Sequence, residues 1–380
     1  MTASTSHLRK LRQRARAWRN MAVSASMDRV RPSWVPGPHV GYLLTTFRCN
    51  MRCVSCGAWH APNDDDLTTA EWFELIPQLR SLDIIKLLGG EPFARPDMAD
   101  IMDEARRVID PYIMQLTTNG TATDAIVDAV QRVGWPGLQL RVSIDGLEAT
   151  HDRQRGVPGS FAMATQTLEL LAPMRERLGF HMGINFSVTD HSIGEIDEMK
   201  ALAASFGADL IPGVNVSPFL DGSTSPAENP QHFVLLEDPR RALEALQDRE
   251  VGTKLQLPRI DHAVGRLITG DVFRQEILQG SLRFRCRALK DIVYMLPDGR
   301  IIICGVDHSP IGNIREQPLS DIWNSATAQA GRARVAACPG CLQASIHILS
   351  RLYGGCLGPA CPDPTRTCRE PRFPRLQLSL

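Results

Sequence analysis

No stretch of this 380-residue chain is apolar for long enough to cross a bilayer, so no membrane span is expected. There is no surplus of charge either: 42 basic residues balance 42 acidic ones. A neutral chain builds no global field that would draw nucleic acid, so no nucleic-acid partner is expected. The basic N-terminus is followed by no apolar stretch, so a secretory signal peptide is not indicated. Lysine is scarce, confined to Lys10, Lys86, Lys200, Lys254 and Lys290, which reads as coding bias. Between Cys56 and Cys286 there is no cysteine at all; the ten cysteines fall in two blocks, 49–56 and 286–368. That clustering suits metal ligation in a reducing, cytoplasmic setting better than a disulfide framework. Apolar residues at 43% and charged residues at 22% are ordinary for a globular protein. The length allows one large domain or two modest ones.

The first block, Cys49-Asn50-Met51-Arg52-Cys53-Val54-Ser55-Cys56, follows directly on the β-prone run 40–47. Three thiolates on a tight loop after a buried strand can hold three irons of a cubane cluster. With no fourth cysteine nearby, the fourth iron keeps open positions, as catalytic metals require. His60 leaves a second reading open, a three-Cys, one-His structural zinc site.

Residues 8–31 read as a basic helix, with Leu8, Leu11, Ala15, Trp18 and Ala22 recurring on one face. That stripe is expected to dock on the rest of the fold. The alternatives are peripheral contact with an anionic membrane surface and a transit peptide. The Pro-rich segment 31–38 ends the helix. Strands and helices then alternate. Strands are expected at 40–47, 84–88, 113–118, 138–144, 180–188 and 209–217. Helices are expected from Thr68, with Glu71 completing a capping box, and at 97–109, 123–133, 160–178 and 193–206. Six such units imply a parallel sheet with ligands at the carboxyl ends of its strands. Residues 239–248 and 260–279 look helical, 291–304 reads as a β-hairpin turning at Pro297-Asp298-Gly299, and a further helix leads to Cys338. The tail after Cys368 reads as loosely ordered.

The cysteine spacing and four later signatures resemble the radical S-adenosylmethionine (SAM) enzymes over roughly residues 40–216. The signatures are Gly89-Gly90-Glu91-Pro92, Thr117-Thr118-Asn119-Gly120, Ser143-Ile144-Asp145-Gly146, and His151-Asp152 leading to Arg155-Gly156. The resemblance implies an α/β fold, a partial (β/α)6 barrel with a small C-terminal β-hairpin and helix extension. It implies a [4Fe–4S] cluster on Cys49, Cys53 and Cys56, with SAM chelating the open iron. An external electron donor such as flavodoxin or ferredoxin then drives cleavage to a 5′-deoxyadenosyl radical, which abstracts a substrate hydrogen. By the same resemblance, the Gly89–Gly90 backbone receives the SAM amino group and Glu91 fixes the turn. Ser143 and Asp145 offer groups suited to a ribose or an amino-acid backbone, as does Asn119, and Arg155 matches the SAM carboxylate. Capping and turn formation are the structural alternatives for these residues. One departure stands out: Ser55 occupies a position that is often aromatic in the family and packs near the adenine.

In the second block, Cys286 and Cys304 bracket the hairpin, and Cys338 and Cys341 form a C-x2-C pair. Four thiolates close one cluster, or one zinc ribbon. Cys356, Cys361 and Cys368 can hold a second. The block resembles SPASM or Twitch extensions, which carry one or two auxiliary iron–sulfur clusters. The last spacings depart from the usual SPASM run, so one or two auxiliary [4Fe–4S] clusters are both expected outcomes. The expected division is a helix and linker over 1–39, the core over 40–217, a helical bridge over 218–285, the cluster extension over 286–368 and a tail over 369–380.

Only about forty residues precede the core, which favours a small-molecule substrate, a sugar, polyol or lipid-linked intermediate undergoing oxidation or epimerisation. A ribosomal-peptide maturase is the alternative, and a non-catalytic zinc-binding protein a further one.

Overall fold

The computed structural model describes residues 3–31, 33–61, 64–214, 239–248, 286–338, 349–350 and 352–353. Short aliphatic runs become six strands: β1 (Val40–Leu44), β2 (Ile84–Leu88), β3 (Ile113–Thr118), β4 (Leu138–Ser143), β5 (His181–Val188) and β6 (Asp209–Val214). They pair in sequence order and in parallel. Side chains alternate between two apolar environments. Leu43, Ile85, Leu87, Met114, Leu116, Leu140 and Val142 pack beneath the covering helices. Val40, Tyr42, Leu44, Ile84 and Ile113 face the hollow of the curved sheet.

The covering helices are α2 (Thr69–Leu75), α3 (Met98–Val108), α4 (Thr123–Val133), α5 (Glu148–Arg155), α6 (Ser160–Leu178) and α7 (Ile196–Ser205), followed by α8 (Pro239–Asp248). The Thr68–Glu71 capping box forms as expected. Helix α5 was not expected, because Glu148–Arg155 has no apolar stripe. The region expected to be helical at 260–279 lies outside the described residues.

The hairpin does not stand apart from the core. Strand β7 (Ile292–Met295) lies parallel to β1, with Val40 opposite Ile292 and Leu43 opposite Met295. Strands β8 (Arg300–Ile302) and β9 (Pro310–Asn313) add on antiparallel. The result is one open sheet in the order β6-β5-β4-β3-β2-β1-β7-β8-β9. Helices α9 (Leu319–Asn324) and α10 (Ala326–Ala337) then lead to Cys338.

Helix α1 (Ala3–Val30) corrects one expectation. Its apolar stripe points outward, with Leu8 55% and Leu11 48% exposed. The opposite face docks instead, burying Ala17 and Met21 among a set of polar contacts. Arg9 and Gln13 donate to Asp110 at 2.6 and 2.5 Å, Arg16 and Asn20 to Asp83 at 3.0 and 2.9 Å, and Ser24 to Asp291 at 2.7 Å. These three aspartates stand just before β3, β2 and β7. Their row of charge along the N-terminal rim faces the helix beside the buried Ala17 and Met21. Among the described residues no helix is long and apolar enough to cross a membrane.

The same helix reaches the extension through Arg287, whose side chain is 1% exposed. Its guanidinium meets Asp291 at 2.5 Å, the Ser24 hydroxyl at 2.6 Å and Asp28 at 2.9 Å. Arg287→Ala would leave the Asp291 carboxylate buried beside no cation. The expected loss is about 3–5 kcal/mol of unfolding free energy, measurable by urea denaturation.

Candidate active site at the barrel mouth

The loop bearing Cys49, Cys53 and Cys56 leaves the carboxyl end of β1 and is laced to its neighbours by backbone bonds. Gly90 N donates to Thr46 O at 2.7 Å and Glu91 N to Arg48 O at 2.8 Å. A Cβ on Gly90 would sit 2.5 Å from the Phe47 and Arg48 carbonyl oxygens, so only glycine permits this approach. Glu91 is fully buried and accepts from Asn119 N at 2.6 Å, the Thr118 hydroxyl at 2.7 Å and Phe93 N at 3.1 Å. It thus ties the end of β2 to the end of β3. The Asn119 side chain donates to Asn50 Oδ1 at 2.7 Å, pinning the cysteine loop from the β3 side.

Helix α5 pins it from the other side. Arg52 N and Val54 N each donate at 2.9 Å, to the carbonyls of Arg155 and Gln154. His151 Nδ1 accepts from Asp145 N at 3.1 Å, and Gln154 donates to Asp145 O at 2.8 Å. Burial lowers the His151 pKa to about 4, with Arg155 adding to the effect. The ring is therefore neutral, and its Nδ1 is free to accept. Asp145 in turn accepts from Ser187 N at 2.9 Å and pairs with Arg155 Nε at 2.9 Å. Arg155 Nη1 also reaches Cys53 Sγ at 3.8 Å.

Gly156 closes α5 at φ +67°, and a Cβ there would lie 2.4 Å from Arg52 O. Gly156→Ala is expected to cost about 1–3 kcal/mol through the left-handed backbone alone. It should also push the cysteine loop outward, lowering the iron retained after anaerobic reconstitution.

The three thiols fit a thiolate-ligated cluster. Each sulfur accepts a hydrogen bond: Cys49 from Met51 N at 3.4 Å, Cys56 from Ala58 N at 3.5 Å, and Cys53 from Arg155. Such bonds to cluster sulfurs tune reduction potential. Burial raises all three pKa values, to about 11 for Cys49 and about 12 for Cys56, and the thiols repel one another's charge. Three neighbouring buried thiols held protonated become thiolates only in the field of a bound metal. Among the described residues no three His, Cys, Asp or Glu side chains are close enough to cage a single metal ion. A cubane takes one thiolate per iron, which three cysteines on one loop can supply.

In the extension, Cys304 Sγ accepts from Val306 N at 3.4 Å and Asp307 N at 3.2 Å. Burial raises its pKa, and the charge of Cys338 reaches it. Cys286 and Cys304 pack against the same apolar cluster. Cys341, Cys356, Cys361 and Cys368 lie outside the described residues.

Residues 43–199 match the model of the Radical SAM superfamily, and residues 286–342 match SPASM, an iron–sulfur cluster-binding domain. The chain is a radical SAM protein with a C-terminal SPASM domain. It binds SAM with a [4Fe–4S] cluster in the core and an auxiliary cluster in the SPASM domain. It is 29% identical over 299 residues to the AdoMet-dependent heme synthase of Methanosarcina barkeri, covering 74% of this chain and 80% of that one. It is 25% identical over 299 residues to the PqqA peptide cyclase of Gluconobacter oxydans, covering 76% and 78%. The fold is shared with Streptococcus suis SuiB bound to SAM, with a TM-score of 0.56 at 15% identity over 78% of this chain and 67% of that one.

The radical SAM core brings Gly89, Gly90, Glu91, Asn119, Ser143, Asp145 and Arg155 to the carboxyl ends of β2, β3 and β4 around the cysteine loop. Glu91, Asn119, Asp145 and Arg155 are all engaged by protein groups there. Sequence reasoning had no role for Asn50, Thr118 or Gln154. The side-chain partners of Asn50 and Thr118 sit tens of residues away and that of Gln154 nine, so no local spacing marks them.

Proposed function

We propose that this radical SAM protein is a SPASM-type maturase that modifies a peptide by hydrogen-atom abstraction. The carrying observation is the likeness to a peptide cyclase along three-quarters of both chains. Cys49, Cys53 and Cys56 would hold the [4Fe–4S] cluster, which would supply the electron for reductive cleavage of bound SAM. The chain's own residues position that chemistry. The Gly89–Gly90 backbone takes the methionyl amine, while Ser143 and Asp145 face the ribose or amino-acid moiety. Arg155, already balanced by Asp145, lends positive charge to Cys53 and stands near the SAM carboxylate. An external flavodoxin or ferredoxin supplies the electron, and the exposed Leu8–Leu11 face of α1, with Arg12 beside it, suits contact with an anionic membrane surface.

The small-metabolite oxidation or epimerisation expected from the short N-terminal segment draws no support from these relatives. A tetrapyrrole substrate is the second reading, favoured by the likeness to the heme synthase. The test uses the full chain, anaerobically reconstituted, with SAM and dithionite. Formation of 5′-deoxyadenosine is expected, and a short peptide encoded beside the gene should raise it and gain a cross-link or lose two hydrogens. Stimulation by iron-coproporphyrin alone would select the second reading. No 5′-deoxyadenosine under any condition would overturn both.

A further inference from the structure

The hollow of the barrel is floored with apolar residues, Val40, Ile84, Ile113 and Ile292. Two cations face the hollow above that floor: Lys86 level with Gln115 and Gln139, and Arg141 one layer higher, level with Thr117. Lys86 on β2 is 7% exposed, and its ammonium lies 4.7 Å from the centre of the Tyr42 ring. The Tyr42 ring in turn stacks on Tyr294 at 4.5 Å. Arg141 on β4 has the same inward parity, opposite to Leu140 and Val142 in the helix-side core. Its charge reaches both Lys86 and Tyr42. Among the described residues its buried Nε has no hydrogen-bond partner. Among the described residues, the charge acting on Lys86 is that of Arg141, a like charge, and the carboxylate acting on Arg141 is Asp209, at the start of β6.

A buried lysine that faces no carboxylate among the described residues, beside a half-buried guanidinium of like charge, costs the fold free energy whether it keeps its proton or gives it up, unless an anion completes the pair. Burial pushes the Lys86 pKa well below its usual value and that of Arg141 to about 10, with their mutual repulsion acting on Lys86. An arriving anion would reverse those costs, because opposite charge in a dry cavity favours the charged forms. Arg141 lies two residues before Ser143 on the same face, about 6.6 Å along the strand at the usual rise. A group held there hangs directly beneath the SAM site.

We propose that Lys86 and Arg141 form an anion subsite in the barrel lumen that anchors a carboxylate of the substrate below the SAM-binding layer. The cation–π contact with Tyr42 holds the lysine stem while the site is empty, and the guanidinium offers the planar fork that a carboxylate matches. The inference rests on the proposed reading in taking the lumen as the substrate's place. It narrows the substrate to one with an acidic group, a Glu, Asp or C-terminal carboxylate of a peptide or a propionate of a tetrapyrrole.

The test uses full-length, anaerobically reconstituted protein, with succinate as probe and neutral succinamide as control. Binding is read by isothermal titration calorimetry and thermal unfolding, without SAM or reductant, so the result is separate from the 5′-deoxyadenosine assay. Succinate should raise the melting temperature of the wild type, and succinamide should not. Lys86→Met and Arg141→Gln should each weaken succinate binding at least tenfold. Each should also melt above the wild type in the absence of succinate, since the cost of holding a basic group there without an anion is gone. Equal responses to succinate and succinamide would overturn the proposal. So would variants that melt lower while keeping the succinate response, or a loss of SAM affinity in Arg141→Gln with succinate binding intact, which would assign the cation to SAM instead.

Discussion

Cys53→Ala is expected to abolish 5′-deoxyadenosine formation while leaving the chain folded. Cys53 is the middle thiol of the three: its charge reaches both Cys49 and Cys56, and it alone receives the Arg155 guanidinium. Two cysteines cannot replace three, because each thiolate binds a different iron. Iron per chain should fall by about four, the content of one cubane. SAM cleavage should fall by at least about a hundredfold, since even losing an outer-shell partner of a metal costs 10–100-fold. The fold should survive, because the loop is held by backbone bonds from Gly90, Glu91, Arg52 and Val54 rather than by sulfur. Far-ultraviolet circular dichroism and a urea titration close to the wild type, together with lost cleavage, would show that the metal and not the scaffold was removed. A Cys53→Ala protein that still released 5′-deoxyadenosine would place the cluster elsewhere.

The parts of this fold that were legible in the sequence are those with a strand pattern written locally. Residues 84–88 are an almost unbroken aliphatic run and residues 138–144 alternate apolar and polar, and either pattern marks a strand directly. The three N-terminal cysteines were legible because ligand spacing on one loop is a local property. Three features were not. Helix α5 was hidden because its inward residues, Thr150, His151 and Gln154, are polar, and they are buried because they hold Asp145 and the cysteine loop. Strand β9, Pro310–Asn313, has four residues including a proline and a glycine, and forms only because β8 offers it an edge. The orientation of α1 was misjudged because periodicity shows which face is apolar, not which face finds a partner. The acids that decide it, Asp83, Asp110 and Asp291, are gathered only by the folded sheet. Lys86 and Arg141 escaped notice for a related reason: a polar residue inside a strand reads as solvent-facing unless the other side of the sheet is known to be hollow.

Cys304→Ala should separate the two metal centres. Cys304 lies at the exit of β8, within reach of the charge of Cys338, and the strands carrying it continue the core sheet beyond β1. Its sulfur is held by Val306 N and Asp307 N, and the core cysteines take no part in that turn. Removing it should therefore cost the auxiliary cluster and leave the N-terminal one loaded. Dithionite-driven 5′-deoxyadenosine should persist with SAM alone, while substrate conversion falls by about a hundredfold or more, on the scale of metal-site losses. The iron count carries a second result. A wild-type value of about eight means one auxiliary cubane, and about twelve means that Cys356, Cys361 and Cys368 hold another, at four irons each. A Cys304→Ala protein with full iron and full substrate conversion would remove Cys304 from the ligand set. Loss of SAM cleavage in a folded variant would instead mean that the two centres do not assemble independently, a coupling for which the shared edge between β1 and β7 provides a direct physical route.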